Sequence, residues 1–289
     1  MKIKDILRGE GIHISFEVFP PKTEDSYDAV LEAAGEIASL QPAFMSVTYG
    51  AGGGTSRNTV RIATRIEEDF QVPSLAHLTC VSSTREEVRQ VIASLRERGI
   101  ENILALRGDI PEDVTFPIPH HYRYASELIE DIRREGDFCI GAACYPEGHV
   151  EAATQKEDIL HLKHKVDCGV DFLTTQMFFD NSILYSFLYR IREAGITVPV
   201  LPGIMPVTNA KQMKRICALS GTVLPQRFRA ILDRFGDHPA AMEQAGIAYA
   251  VDQIIDLIAN GIQDIHIYSM NRPRTARAIM DGLSEVIKA

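Results

Sequence analysis

A carboxylate inside an apolar stretch is the residue of this 289-residue chain whose setting best suits acid–base chemistry. It is Glu17, which Phe16, Val18 and Phe19 surround in the sequence. A carboxyl group among such neighbours loses water, and desolvation favours its protonated form. An acid that holds its proton near neutral pH can deliver it to a substrate. Glu17 is therefore a candidate general acid, although a strand glutamate that faces solvent or pairs with a lysine or arginine would show the same pattern.

A second carboxylate, Asp109, follows Arg107 and Gly108 at the end of the apolar run NILAL. One interpretation is a carboxylate presented to a ligand, with Gly108 allowing a close approach of the backbone. The other is a loop aspartate that caps the next segment or pairs with Arg107. The spacing alone supports both equally.

Other polar residues lie in or after apolar runs, and each has a functional and a structural interpretation. His77 is more commonly a hydrogen-bonded core histidine than a catalyst, and Gln176 needs polar partners if its strand is buried. Asp158 and Lys165 are seven residues apart, so they share one face of a helix, which is commonly a solvated face. The glycine-rich run at 50–54 resembles a phosphate cradle or a mobile loop, but it lacks the GK[ST] ending of a P-loop.

The elements that must position these residues show a regular rhythm. Short apolar, β-branched runs alternate with charged segments whose apolar residues recur at helical spacing. Thr84 to Glu87 has the pattern of a helix capping box, and Gly99 is placed to end the same helix. The apolar runs begin near residues 13, 43, 73, 102, 138, 172, 199 and 264.

Eight alternating β and α units predict a parallel sheet with right-handed crossovers, and eight is the number that closes a (β/α)8 TIM barrel. A doubly wound open sheet is the rival, but no GxGxxG follows the first run. We interpret the chain as a single domain over residues 1–289, with an elaborated segment at 221–262 before the eighth strand. Because barrel enzymes place their chemistry at the carboxyl ends of the strands, the polar residues named above should converge on one mouth.

Composition narrows the class of protein. Hydrophobic residues make up 45% of the chain, and 30 Lys+Arg against 39 Asp+Glu give a net charge of -9, which argues against a nucleic-acid or anionic-membrane binder. No 18-residue apolar stretch, secretory signal or metal-ligand spacing is present, so we expect a cytoplasmic protein without a structural metal. An odd cysteine count without a CxxC pair favours reduced thiols, with three in strand-like runs: Cys80, Cys139 and Cys144.

The motifs FEVFPPK, SVTYGAGG, AHLTC, LALRGD, CYPEGH, LKHKVDCGVDFLTTQMFFDN and LPGIMPVTNAKQ, with the late NR, resemble the methylenetetrahydrofolate reductases of the bacterial, catalytic-domain-only kind. The resemblance runs in order over nearly the whole chain. It implies non-covalent FAD in a (β/α)8 barrel and ping-pong reduction of 5,10-methylenetetrahydrofolate to 5-methyltetrahydrofolate. The electron donor would be NADH or NADPH, or a redox protein partner, and a homo-oligomer is expected.

The same resemblance implies roles for individual residues. Glu17 matches the general acid, and Asp109 would stabilise a cationic intermediate of the folate. The folate contacts are implied to be Glu17, Asp109, Gln176, Gln212 and Arg272. His161 and Ile216 stand where the family commonly has Asn and Phe. The residues matching FAD contacts are Thr48, His77, Arg107, Gly108, Asp109, Tyr124, Ala125, Tyr145, His149, Ala152, Asp158, His161 and Lys165.

Two other functions stay open from the sequence. The chain could be a barrel that binds folate without flavin, or a subunit that docks on a redox complex without catalysis of its own. Flavin content separates the first from a flavin-dependent reductase, and turnover by the isolated protein separates the second.

Overall fold

A closed ring of parallel strands forms the centre of the molecule. The structure, a computed structural model, describes residues 1–21, 23–49, 55–110 and 115–289. Every strand pair is parallel, and the order β7-β6-β5-β4-β3-β2-β1-β9-β8 brings the two ends of the sheet together, since β7 and β8 are consecutive in the chain. The strands are β1 (His13–Val18), β2 (Met45–Val47), β3 (Ser74–Thr79), β4 (Asn102–Leu106), β5 (Cys139–Cys144), β6 (Phe172–Thr175), β7 (Val200–Leu201), β8 (Gly203–Ile204) and β9 (Asp264–Tyr268).

The predicted seventh strand is divided at Pro202. Leu201 pairs with β6 on one side, whereas Gly203 pairs with His266 of β9 on the other. Proline has no N–H to give to a ladder, but the Pro202 carbonyl accepts a hydrogen bond from the His266 N–H at 2.9 Å. Pro202 is thus the point at which the ring closes. The predicted (β/α)8 barrel is confirmed, with one of its eight strand positions formed from two short pieces.

Helices follow the strands around the outside of the ring. The Thr84 capping box is present, and Gly99 has the left-handed backbone (φ 76°) of a helix C-terminus, both as predicted. The elaborated region at 221–262 contains two of the helices, α9 and α10. The helices are α1 (Ile3–Ile6), α2 (Tyr27–Ala38), α3 (Thr55–Phe70), α4 (Arg85–Glu97), α5 (Ala125–Glu135), α6 (Gln155–Asp167), α7 (Asn181–Glu193), α8 (Ala210–Ser220), α9 (Gln226–Phe235), α10 (Pro239–Ala259) and α11 (Pro273–Leu283), with 3₁₀ turns at Glu24–Ser26 and Val286–Lys288.

Alternation along each strand separates two apolar layers. Side chains such as Phe16 and Val18 point outward and join the core beneath the helices. Inward side chains at the amino end of the barrel, among them Leu75 and Phe172, pack with Ile3 of α1 and close that end. Successive strand residues face opposite sides of a sheet, so residues two apart face the same side. The inward-facing residues that come after this apolar cluster along the strands therefore line the interior nearer the carboxyl end.

The cysteines and the helix lengths agree with the composition argument. Cys80, Cys139 and Cys144 are buried free thiols, as predicted. Burial raises the pKa of the Cys80 and Cys144 thiols to about 12, so they stay protonated in the core. Of the helices in the described ranges, none combines the length and the apolar character needed to cross a membrane.

Helix α10 holds the loop after β8 against the barrel through a glycine. A Cβ atom added at Gly246 would lie 1.8 Å from the Val207 carbonyl oxygen. Val207 lies two residues after Met205, and Met205 belongs to the wall of the cavity at the carboxyl end of the barrel. The close contact between α10 and this loop therefore requires glycine at position 246.

We predict that Gly246→Ala lowers the free energy of unfolding by about 1–3 kcal/mol, as overpacking of a tight contact does. The loss should appear even though alanine is the better helix former by about 1 kcal/mol. Gly282→Ala in α11 is the matched control, because the atoms nearest its new Cβ would belong to the Val251 side chain, the closest a methyl carbon at 3.1 Å, and not to backbone. Urea unfolding measures both, and a Gly246→Ala protein as stable as the wild type would contradict the prediction.

Candidate functional site

The barrel interior opens at the carboxyl ends of the strands into a cavity of about 430 Å³. Its wall consists largely of inward-facing residues from successive strands and from the loops that follow them. Aromatic and aliphatic side chains predominate, and a few polar groups point inward among them. The polar and aromatic members of the wall include Glu17, Phe19, Thr48, Tyr49, His77, Tyr145, Thr174, Thr175, Gln176 and Tyr268.

Glu17 is 7% exposed and lies near the end of β1, opposite Ser46 of β2 and Tyr268 of β9. Its Oε2 atom is 3.6 Å from His77 Nε2 and 3.9 Å from His266 Nε2. Among the described residues, no lysine or arginine forms an ion pair with it. The carboxyl group is therefore buried rather than exposed to solvent, and its nearest ionisable neighbours among the described residues are two imidazoles.

His77 lies in β3 beside Glu17 and departs from the expected core histidine. Its Nε2 atom is buried and has no hydrogen-bond partner within the described part of the chain. Burial lowers the pKa of His77 to about 4, the negative charge of Glu17 opposes the shift, and His266 adds to it. His77 is thus neutral at physiological pH, and its pairing with Glu17 is not an ion pair. A buried polar atom without a partner is unusual, and this one belongs to a side chain of the cavity wall.

A hydroxyl–imidazole network beneath Glu17 was missed by the sequence interpretation. His266 Nδ1 is 2.8 Å from Ser15 Oγ, and its Nε2 is 3.2 Å from Ser46 Oγ. All three side chains are buried. The sequence did contain a signal for this network, because side chains two residues apart on a strand face the same side. Ser15 therefore shares a face with Glu17, and His266 shares a face with Tyr268.

The loop after β4 carries the predicted Arg107, Gly108 and Asp109. Arg107 forms a bidentate pair with Glu151 at 2.6 Å for both bonds, so the partner of Arg107 is not Asp109. Asp109 is exposed at the rim. The hydrogen bond to Glu151 raises the pKa of Arg107 and burial raises the pKa of Tyr145, and the charge of Asp109 adds a smaller increase to both. Gly108 has φ 83°, a conformation that favours glycine.

A second polar group lies between β5 and α6. Lys165 is half-buried and its Nζ donates to the Ala143 carbonyl at 2.5 Å. Asp158 is also half-buried and its carboxylate accepts from the His149 backbone. Burial lowers the pKa of Lys165 and raises the pKa of Asp158. These two residues therefore face the protein interior rather than a solvated surface, and the His149 ring packs edge-on against Tyr145 at 4.7 Å.

The remaining predicted residues fall into four groups. Thr48 and Gln176 line the cavity, and the Gln176 Oε1 atom accepts from the Met177 N–H at 2.9 Å. Arg272 is exposed and donates to the Thr208 hydroxyl at the rim. The glycine-rich run at 50–54 and the side chain of Gln212 lie outside the described residues. The others lie away from the cavity wall, with Tyr124 and His161 exposed and Ala125 and Ala152 partly exposed.

These features define a class of protein. A parallel barrel closed at its amino end, with an acid and a neutral histidine inside the carboxyl-end cavity, has the arrangement of (β/α)8 enzymes. Across the described ranges, no group of three or more His, Cys, Asp or Glu side chains could hold a metal ion.

Comparison with known proteins narrows the class to a family. A family model described as methylenetetrahydrofolate reductase matches residues 2–284. The chain is 36% identical over 272 residues to the 5,10-methylenetetrahydrofolate reductase of Pectobacterium carotovorum subsp. carotovorum, covering 94% of this chain and 90% of that protein. The Escherichia coli K12 protein of the same name shows the same identity and coverage. The chain belongs to the methylenetetrahydrofolate reductase family and is an oxidoreductase of that class.

Other relatives differ in length or in sequence. Methylenetetrahydrofolate reductase (NADH) 1 of Arabidopsis thaliana is 35% identical over 295 residues, but the chain spans only 50% of its length. A solved structure of an uncharacterized protein from Clostridium thermocellum, described as binding two copies of 5-methyl-5,6,7,8-tetrahydrofolic acid, superposes with a TM-score of 0.63 at 14% identity. It covers 100% of this chain and 99% of that chain, and at this identity it shows a shared fold.

The low pKa of His77 has a consequence for stability. Between pH 6.5, its ordinary pKa, and about 4, the unfolded chain binds a proton at His77 and the folded chain does not. Stability should therefore fall as the pH is lowered through this window, by at most ~3 kcal/mol from this residue, because one pKa unit is worth about 1.4 kcal/mol.

We predict that His77→Gln removes this contribution, so that the stability difference between wild type and variant changes as the pH falls from 7 to 4. Urea unfolding across that range measures it. His238→Gln, at an exposed histidine, is the control and should leave the pH dependence of the wild type unchanged. Parallel curves for wild type and His77→Gln would show that His77 is not held neutral.

Proposed function

We propose that the protein reduces 5,10-methylenetetrahydrofolate to 5-methyltetrahydrofolate with bound FAD, and that Glu17 is the general acid. The observation that carries the proposal is the pairing of Glu17 with His77 inside the cavity, with no cation of the described residues beside the carboxyl group. Family membership supports the reaction class, and the names of the bacterial relatives support the folate substrate.

The wall residues fit a flavin in chemistry and in shape. The orphaned His77 Nε2 offers a polar contact to a ligand, and the volume of about 430 Å³ suits a flat ring system. Arg107 and Lys165 would balance the charge of a pyrophosphate, and the left-handed Gly108 would let the backbone approach it closely. Thr48, Tyr145, His149 and Asp158 complete the proposed set. When bound, FAD would take hydride from a reduced donor and pass it to the folate.

The proposed work of Glu17 is proton delivery. The five-membered ring of the substrate must open to an iminium ion before hydride can add, and opening requires a proton on the departing nitrogen. Glu17 is in a buried position from which a protonated carboxyl group can donate at short range. His77 borders it without adding a positive charge, since burial keeps His77 neutral.

Asp109 has a different proposed role. Its carboxylate would stabilise the cationic iminium electrostatically and accept hydrogen bonds from the N–H groups of the pterin ring. Its position at the rim, near Arg107 and Tyr145, suits a residue that meets the folate rather than one buried beneath it. Gln176 in the wall and Arg272 at the rim are proposed to contact the folate as well.

The electron donor and the assembly are also proposals. A reduced nicotinamide nucleotide is the proposed donor, and NADH is favoured because the Arabidopsis thaliana relative carries it in its name. A screen of electron donors would show whether NADPH or a redox protein serves instead. A homo-oligomer in the cytoplasm is also proposed, because soluble oligomeric proteins are most commonly symmetric homo-oligomers.

We predict that protein purified gently is yellow and carries close to one FAD per chain. Absorbance and flavin release after denaturation measure the content. A colourless, folded protein that takes up no added FAD would contradict the cofactor proposal and favour the flavin-independent folate barrel. A flavin-loaded protein without turnover on its own would favour the redox-complex subunit.

We predict that Glu17→Gln keeps its FAD and still accepts electrons from NADH, but loses methylenetetrahydrofolate reduction by at least ~100-fold, the usual scale for a general acid. Anaerobic mixing separates the two half-reactions by the bleaching and recovery of the flavin. Glu147→Gln is the matched control, because the Glu147 carboxylate accepts from the Val223 N–H outside the cavity wall. Normal folate turnover by Glu17→Gln would show that the acid is another group.

A further inference from the structure

The segment that follows β9 is bound to the backbone at Glu17 and at Phe19, two residues further along the chain. Ser269 Oγ donates to the Glu17 carbonyl at 2.6 Å. The Phe19 N–H donates to Asn271 Oδ1 at 2.7 Å, and Asn271 Nδ2 donates to the Phe19 carbonyl at 2.9 Å. We name Ser269 and Asn271 together the clasp.

The clasp replaces a β-ladder that cannot continue. The last register pair between β1 and β9 is Glu17 with Tyr268. Pro20 and Pro21 follow Phe19 and have no N–H to donate. The side-chain amide of Asn271 presents one donor and one acceptor, as a peptide group does, so it satisfies both backbone groups of Phe19. The chain beyond Glu17 is thereby held as if the strand pairing went on.

The backbone of the clasp is strained. Met270 and Asn271 have φ 54° and 53°, two consecutive non-glycine residues in the left-handed region. This conformation costs about 1–2 kcal/mol per residue, although Asn tolerates it better than most residues. Such strain persists only where the surrounding contacts impose it, and it is common at functional sites. Here it turns Met270 into the cavity wall, where Phe19 also lies.

We propose that the clasp is a positioning device for Glu17. Ser269 fixes the carbonyl of Glu17 itself and Asn271 fixes the backbone N–H and carbonyl of Phe19, so the backbone is held at the acid and directly after it. The contact between Glu17 and His77 then depends on the segment that follows β9. Ser269 and Asn271 in that segment bind backbone groups at Glu17 and Phe19, not the carboxyl group. This inference rests on the proposed function, in which Glu17 delivers the proton.

The expected effect is confined to one half of the reaction. A displacement of about 1 Å at a reacting group can lower a rate about 100-fold. Loss of the clasp should therefore slow the folate half-reaction, which needs the proton, and leave reduction of the flavin by its donor unchanged.

The test is Asn271→Gly. Glycine accepts φ 53° without strain, so this variant removes the amide while easing the backbone conformation. We expect the folate half-reaction to slow by about tenfold or more, with FAD content and the donor half-reaction within about twofold of wild type. Its rate should also depend less on pH, since a displaced acid no longer controls proton delivery. Ser269→Ala should act in the same direction.

Gln41→Gly is the matched control. Gln41 is an exposed residue with φ 54°, in the loop between α2 and β2 at the amino end of the barrel. Gln41→Gly also replaces a carboxamide side chain by glycine at nearly the same φ angle. Both half-reactions should stay at wild-type rates in this variant. Urea unfolding of all three variants reports separately on stability.

The outcomes are distinguishable. A wild-type protein that does not reduce methylenetetrahydrofolate would overturn the proposed function, whatever the variants do. If the wild type reduces it and both Asn271→Gly and Ser269→Ala match it in rate and in pH profile, the clasp does not position Glu17. Equal slowing of both half-reactions would show a general structural role and would also overturn the inference.

Discussion

The arrangement of the barrel mouth depends on one constraint, which is a carboxyl group held out of water with no lysine or arginine of the described residues beside it. Removing a carboxylate from water is unfavourable unless hydrogen bonds or an opposite charge compensate it. Glu17 is 7% exposed, and its nearest ionisable neighbours among the described residues are imidazoles at 3.6 and 3.9 Å. An arginine in either place would hold the acid ionised. Of these two histidines, His77 is neutral because it is buried, so it brings no positive charge to the carboxyl group.

The fold supplies this environment through the two faces of each strand. Outward residues such as Phe16 and Val18 secure the strand beneath the helices, and the inward residue between them is placed inside the ring. The apolar cluster around Ile3 and Phe172 closes the amino end of the barrel, so the cavity opens toward the carboxyl ends of the strands. Ordinary barrel packing thus forces a carboxyl group at position 17 to be both buried and accessible to a ligand.

The sequence was sufficient for the architecture and for part of the site. The rhythm of apolar runs predicted the barrel because each βα unit repeats the same local rule. It did not predict the division at Pro202, which depends on strands far apart in the chain. From its position in an apolar strand His77 was more readily interpreted as a hydrogen-bonded core histidine, since a missing hydrogen-bond partner is a property of the packed structure. Glu151, the partner of Arg107, likewise lies 44 residues away and has no local signature.

The size of the cavity bears on the order of the proposed reaction. About 430 Å³ lies within the usual range for one ligand of moderate size. If a flavin ring occupies part of that space, the nicotinamide and the pterin cannot both lie beside it at once. They would have to use the same position in turn, which is the structural condition for ping-pong kinetics. The acid must then be fixed before the folate arrives, because the preceding reduction step makes no use of it. A rigid attachment of the β1 backbone to the segment after β9 would meet that requirement without any contact to either substrate.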